Sequence, residues 1–151
     1  MRLVGLCCVI VLSAGAVFGQ DAAAKKPKVL LAYEKTRFKT ALVEAMQKQL
    51  AATGCEVNVV RHSKKGLDAV AADYDAVFIT NSGVNSKVRP WIMEWLASNK
   101  DQQGRVLLHT TQTRKWPVKV DVDAVTSASS KRDVEELATD YVGRLKGILE
   151  E

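Results

Sequence analysis

Residues 28–33 read Lys-Val-Leu-Leu-Ala-Tyr, and residues 34–40 continue Glu-Lys-Thr-Arg-Phe-Lys-Thr. The first stretch is short and mostly apolar, with no polar alternation. That is the pattern of a strand buried on both faces, as in a parallel sheet covered by helices. The second stretch is polar, and Thr36 stands where a hydroxyl can cap a helix. Beyond it Phe38, Leu42, Ala45, Met46 and Leu50 fall on one helical stripe, and Gly54 ends the helix. A buried strand, a polar turn and an amphipathic helix make the opening of a βαβ unit.

The rest of the chain repeats that alternation. Glu56 to Arg61 is rich in β-branched residues and reads as strand two, and Leu67 to Ala72 provides one or two helical turns. Tyr74 to Thr80 is a third apolar strand, followed by a polar loop from Asn81 to Lys87. Pro90, Trp91, Ile92, Trp95 and Leu96 open an amphipathic helix. Gly104 precedes strand four, Arg105 to His109, and Val120 to Thr126 is strand five. Ser130 is expected to cap a last helix, with Asp133 three residues on in the manner of a capping box. The buried face of that helix is Val134, Leu137, Ala138, Tyr141, Leu145 and Ile148.

The order β-α-β-α-β-α-β-β-α predicts an α/β domain: a doubly wound parallel sheet in three layers. Residues 110–119, between strands four and five, hold only a loop, so the crossover helix expected there is missing. Strand five is therefore expected to be short or to be reached by an extended connection.

Composition narrows the class. A chain of 151 residues makes one domain that can bury a core without staples, and 47% hydrophobic with 26% charged residues excludes wholesale disorder. The net charge of +5 is spread along the chain, which argues against a dedicated nucleic-acid binder. No cysteine pair stands at metal-ligand spacing and no histidine cluster occurs, which argues against a zinc enzyme.

Residues 1–19 read as a secretory signal: Arg2, an uncharged apolar run from Leu3 to Phe18, then small residues at Ala14-Gly15-Ala16 or Val17-Phe18-Gly19. The run is short of the roughly 20 residues of a membrane span. The expected organisation is a signal over 1–19, a flexible leader over 20–27 and the domain over 28–151, exported to a periplasm or secreted, with no stable membrane insertion after cleavage. Cleavage leaves Cys55 without a partner, so it reads as a small hydrophobe at a strand start.

Ligands of such sheets bind beyond the carboxyl ends of the strands, at the switch between strands one and three. Three segments converge there: Glu34–Thr40, Asn81–Lys87 and Thr110–Trp116. Lys35, Arg37 and Lys39 beside a helix N-terminus suit a phosphate or other anion, and read equally as a solvated basic loop. Trp116 either covers a flat ring or packs near Pro117, while Trp91 and Trp95 share a helix face and read as core. His109 reads as a core or rim residue, and His62, beside Lys64 and Lys65, as solvated. Spacing supports no catalytic triad, and no Gly-x-Gly-x-x-Gly turn follows strand one.

On these residues the chain resembles the flavodoxin-like family. Tyr33 and Thr36 match that family's phosphate loop, commonly Tyr-Ser-x-Thr-Gly-Asn-Thr. Thr80-Asn81-Ser82-Gly83 resembles its first isoalloxazine loop, and His109-Thr110-Thr111-Gln112 resembles a strand-four end with Thr-Thr-Gly. The resemblance spans residues 28–149 and implies sheet order 2-1-3-4-5, FMN as cofactor, and electron transfer to a redox protein partner. Such a protein is an electron carrier rather than a hydrolase or transferase. The implied contacts are Glu34, Lys35, Thr36, Arg37, Lys39 and Thr40 at the phosphate, with Asn81, Ser82, Gly83, Thr110, Thr111, Gln112 and Trp116 around the ring.

The chain departs from the family at Arg37-Phe38-Lys39, which replaces Gly-Asn-Thr, and in its basic charge. Glycine lets a backbone wrap a phosphate closely, and Arg37 opposes that. Asp123 to Ser129 resembles the flavin-attachment motif of extracytoplasmic flavoproteins, with Ser129 as the acceptor hydroxyl; the plainer reading, a strand end followed by a helix cap, takes precedence. The alternative function is the same scaffold without flavin, serving as a binding or interaction domain.

Overall fold

The computed structural model describes residues 25–68, 71–83, 87–112, 117–128 and 133–151. The expected signal over 1–19, Trp116, Ser129 and the Ser130 cap lie outside them. Five strands form one sheet in the order β2-β1-β3-β4-β5. These are β1 (Lys28–Tyr33), β2 (Glu56–Arg61), β3 (Ala76–Ser82), β4 (Val106–Gln112) and β5 (Asp123–Ala128), and every neighbouring pair is parallel. The helices are α1 (Arg37–Ala52), α2 (Lys64–Asp68), α3 (Pro90–Ser98) and α4 (Val134–Glu150), with short 3-10 turns at Ala71–Asp73 and Lys100–Arg105. This is the doubly wound three-layer domain expected from the alternation.

The apolar strands feed two cores. Val29, Leu31, Phe78, Leu107 and Val125 meet α1 and α4 on one face through Phe38, Leu42, Met46, Tyr141 and Leu145. Leu30, Val77, Ile79, Val106 and Leu108 meet Leu67, Ile92, Trp95 and Leu96 on the other. Side chains alternate across a strand, so consecutive apolar residues serve both layers. Gly54 closes α1 with φ of 89°, a left-handed conformation that glycine adopts without steric cost.

Five elements have boundaries that differ from the sequence reading. The turns expected over Leu67–Ala72 are α2 from Lys64 to Asp68 followed by the 3-10 turn. The last helix begins at Val134, with Asp133 at its N-cap making no side-chain cap bond. Strand five runs Asp123–Ala128 rather than Val120–Thr126. Strands three and four each extend into residues read as loop, because those polar residues satisfy one another. Asn81 pairs with Thr110 and Ser82 with Thr111 in register. The Asn81 side-chain amide donates to Thr110 Oγ1 at 3.3 Å, and Thr111 Oγ1 donates to the Asn81 carbonyl at 3.2 Å.

Among the described residues no helix lies between β4 and β5. Val120 and Val122, in the connection to β5, pack against the α3-side core. On that face β5 presents Ala124, Thr126 and Ala128, all half-buried. Small side chains lose little when a sheet face is thinly covered. Among the described residues no helix is long and apolar enough to cross a membrane.

Candidate functional site

The carboxyl ends of β1 and β3 lie side by side, and the chain leaving β1 turns immediately into α1. The Glu34 main-chain N–H donates to Thr80 Oγ1 at 3.1 Å, which anchors the turn on β3. Thr36 caps α1, its Oγ1 accepting from the Lys39 N–H at 3.3 Å. That cap orients the first turn so that Phe38 and Lys39 both point inward, and the Lys39 side chain is only 1% exposed.

A buried ammonium needs partners. Lys39 Nζ donates to Glu34 Oε2 at 2.9 Å and to Ser82 Oγ at 2.7 Å. The Ser82 hydroxyl donates to the same Glu34 oxygen at 2.6 Å. The other carboxylate oxygen accepts from the guanidinium of Arg89, the N-cap residue of α3. Glu34 thus joins α1, β3 and α3 through one carboxylate. Burial pushes its pKa up, but bonds from Ser82 and Lys39 and the charges of Lys39 and Arg89 outweigh this and hold it at about 2. Burial pulls the Lys39 pKa down, against the opposing pull of Glu34.

His62 borders this cluster, contrary to its reading as solvated. Its ring is half-buried and meets the Trp91 ring edge-on, centroids 4.6 Å apart. Burial, then the charges of Lys39 and Arg89, lower its pKa to about 4, so the ring is neutral near pH 7. Trp95 is fully buried, whereas Trp91 is only half-buried beside His62.

The other candidates fall into distinct groups. Lys35, Thr36 and Arg37 are exposed at the start of α1, and Thr40 is half-buried, its N–H bonded to the Thr36 carbonyl at 2.9 Å. Asn81, Thr110 and Thr111 are buried and organise the strand ends. The Asn81 amide also donates to the Lys87 carbonyl at 3.3 Å, and its oxygen accepts from the Arg89 N–H at 3.3 Å. Gly83 lies against β4, where an added Cβ would come within 2.5 Å of Thr110 Cγ2. Gln112 is buried at the end of β4. Trp116 and Ser129 are outside the described residues.

Below this floor His109 is fully buried among Phe38, Phe78 and Tyr141, its Nε2 sharing a hydrogen bond with Ser127 Oγ at 2.7 Å. Burial, with a smaller contribution from Lys39, lowers its pKa to about 3. It is a core histidine, inaccessible to a substrate. The Tyr141 phenol beside it is pushed up to about 12, mainly by burial.

These positions bear on the implied FMN phosphate. Of the basic residues at the loop, Lys39 is already bonded within the chain, and a carboxylate with a pKa of about 2 occupies the donor cluster. A phosphate dianion would meet that negative charge at short range. The donor set is therefore in use and does not fit a phosphate beside Glu34.

Sequence reasoning missed Arg89 and the direction of Lys39. A signal existed for Lys39: it stands four residues before Val43 and seven before Met46, on the buried stripe. Arg89 carried none, because nothing local tells that the approach to α3 returns to β1.

No protein-family model and no curated protein sequence matches the chain. Solved structures do. An oxidised flavodoxin 2 from Bacillus cereus is 8% identical with a TM-score of 0.55, over 80% of this chain and 98% of that one. A flavodoxin from the domain Archaea is 10% identical with a TM-score of 0.53, over 81% and 98%. A protein described as a putative lipoprotein from Peptoclostridium difficile is 12% identical with a TM-score of 0.50, over 83% and 99%. At such identities the likeness is one of architecture, and it agrees with the observed sheet order and layering: the chain has the flavodoxin-like fold.

Proposed function

We propose that this chain is an exported flavodoxin-like domain that works without a flavin, as a binding domain for an anionic partner at the carboxyl end of its sheet. The observation that carries this reading is the engagement of Lys39 by Glu34 and Ser82. A loop that bonds its buried lysine internally has no such lysine left for a phosphate. What remains facing solvent is a basic rim of Lys35, Arg37 and Lys87. Those charges favour an acidic protein surface, as exposed cations steer such encounters. Export is supported by the signal pattern of residues 1–19.

The second reading is FMN binding with electron transfer to a redox partner. It is supported by the flavodoxin-like fold and by the match of Tyr33, Thr36 and Thr80–Gly83 to the family's loops. There Lys35, Arg37 and Thr40 would have to hold the phosphate without Lys39, while Gly83 and Gln112 would approach the ring. The flavin would supply the redox chemistry and the chain its orientation and local charge.

One experiment separates the two. The folded protein is incubated with excess FMN, desalted, and its visible spectrum recorded. The flavin-free reading expects a colourless protein. Retained flavin bands overturn it and make electron transfer the function. Intact mass of protein from the native host checks Ser129 for attached flavin.

A further inference from the structure

Three donors from three segments converge on one pair of oxygens: the Lys39 ammonium from α1, the Ser82 hydroxyl from β3 and the Arg89 guanidinium from the cap of α3. Two cations and a hydroxyl are the donors that hold a carboxylate, sulfate or phosphate in a binding site. They are assembled from residues far apart in sequence, and Lys39 is held there at 1% exposure. The oxygens they hold are the chain's own. The Glu34 side chain is 29% exposed, so its seat opens toward solvent.

We propose that this cluster is an oxyanion-binding site that the chain fills with its own Glu34 carboxylate, and that removing that carboxylate exposes a site for a free tetrahedral oxyanion such as phosphate. Truncation at Cβ takes away a carboxymethyl group, close in size to the ion that replaces it. The buried Lys39 charge is left without its counter-charge and gains from any anion that enters. In the natural chain the same carboxylate repels phosphate-bearing ligands from the switch between β1 and β3, so a ligand seated there is neutral or cationic, while acidic groups are confined to the outer rim. This rests on the flavin-free reading and deepens it.

The test is thermal unfolding of the full chain in inorganic phosphate, against sodium chloride at matched ionic strength. Glu34→Ala and Glu34→Ser are compared with the natural chain. At about 50 mM phosphate and an affinity near 1 mM, each variant is expected to melt about 8 °C higher than in chloride. The natural chain is expected to move by less than about 1 °C. Adding Lys39→Met to Glu34→Ala is expected to abolish the gain. A variant that is unfolded in chloride and folds on addition of phosphate also meets the expectation.

The proposal is overturned if phosphate stabilises the natural chain as much as the variants. It is overturned equally if neither variant gains over chloride, or if both stay unfolded in phosphate. These outcomes are separable from failure of the flavin-free reading, which is read from FMN retention by the natural chain.

Discussion

Glu34→Gln and Lys39→Met remove opposite halves of the same ion pair, and the structure says they will not cost the same. Glu34→Gln keeps the shape and an accepting oxygen, but leaves an ammonium at 1% exposure without a full counter-charge. Losing one partner of a buried pair costs about 3–5 kcal/mol, and the 29% exposure of Glu34 argues for the low end, about 3. Lys39→Met replaces the buried cation with an unbranched apolar chain of similar length. Glu34 then keeps Ser82 and Arg89, so the loss is that of a charge-assisted bond, about 1–2 kcal/mol. The double variant carries no buried charge and should be more stable than Glu34→Gln alone, giving a coupling of roughly 2 kcal/mol. Urea unfolding followed by circular dichroism measures all four proteins, and about 3 kcal/mol corresponds to a melting shift near 10 °C. If the two single changes add within about 0.5 kcal/mol, or if Lys39→Met costs more than Glu34→Gln, the reasoning fails.

Two further outcomes follow from the structure. His62 and His109 sit near pKa 4 and 3 in the fold against 6.5 as free groups, so the unfolded chain binds more protons below pH 6.5. Stability should therefore fall as pH drops from about 7 toward 4, by up to about 1.4 kcal/mol per pH unit for each ring, and Glu34 extends the loss as it protonates toward pH 2. Urea midpoints across that range check the sign; a flat profile refutes it, and His109→Asn should make the fall shallower. Gly83→Ala sets a Cβ within 2.5 Å of Thr110 Cγ2 and should cost about 1–3 kcal/mol, most of it recovered when Thr110→Ser removes that methyl. Failure of the second change to rescue the first would show that the clash is not the cause.

The site was only half legible. The sequence places Glu34, Thr36, Lys39 and Ser82 in loops that meet at the sheet's carboxyl end, as loop ends of a doubly wound sheet do. Their roles were not legible. Lys39 reads as a phosphate lysine until its burial is known, and His62 reads as solvated until Trp91 lies against it. Asn81–Ser82 and Thr110–Gln112 read as loop because they are polar, yet they are strand, since a polar side chain in a strand costs little once its neighbour satisfies it.

By itself the sequence determined the βα alternation, the parallel sheet, the cap at Thr36 and the missing crossover helix before β5. All of these follow from local periodicity, capping chemistry and the reach of a short connection. Only the tertiary structure decided that Glu34 would gather Lys39, Ser82 and Arg89, and thereby where the positive charge of the loop is spent. Arg89 stands 55 residues from Glu34. Local rules act over a few residues, whereas an ion cluster is set by the three-dimensional packing of elements whose spacing in sequence carries no sign of it.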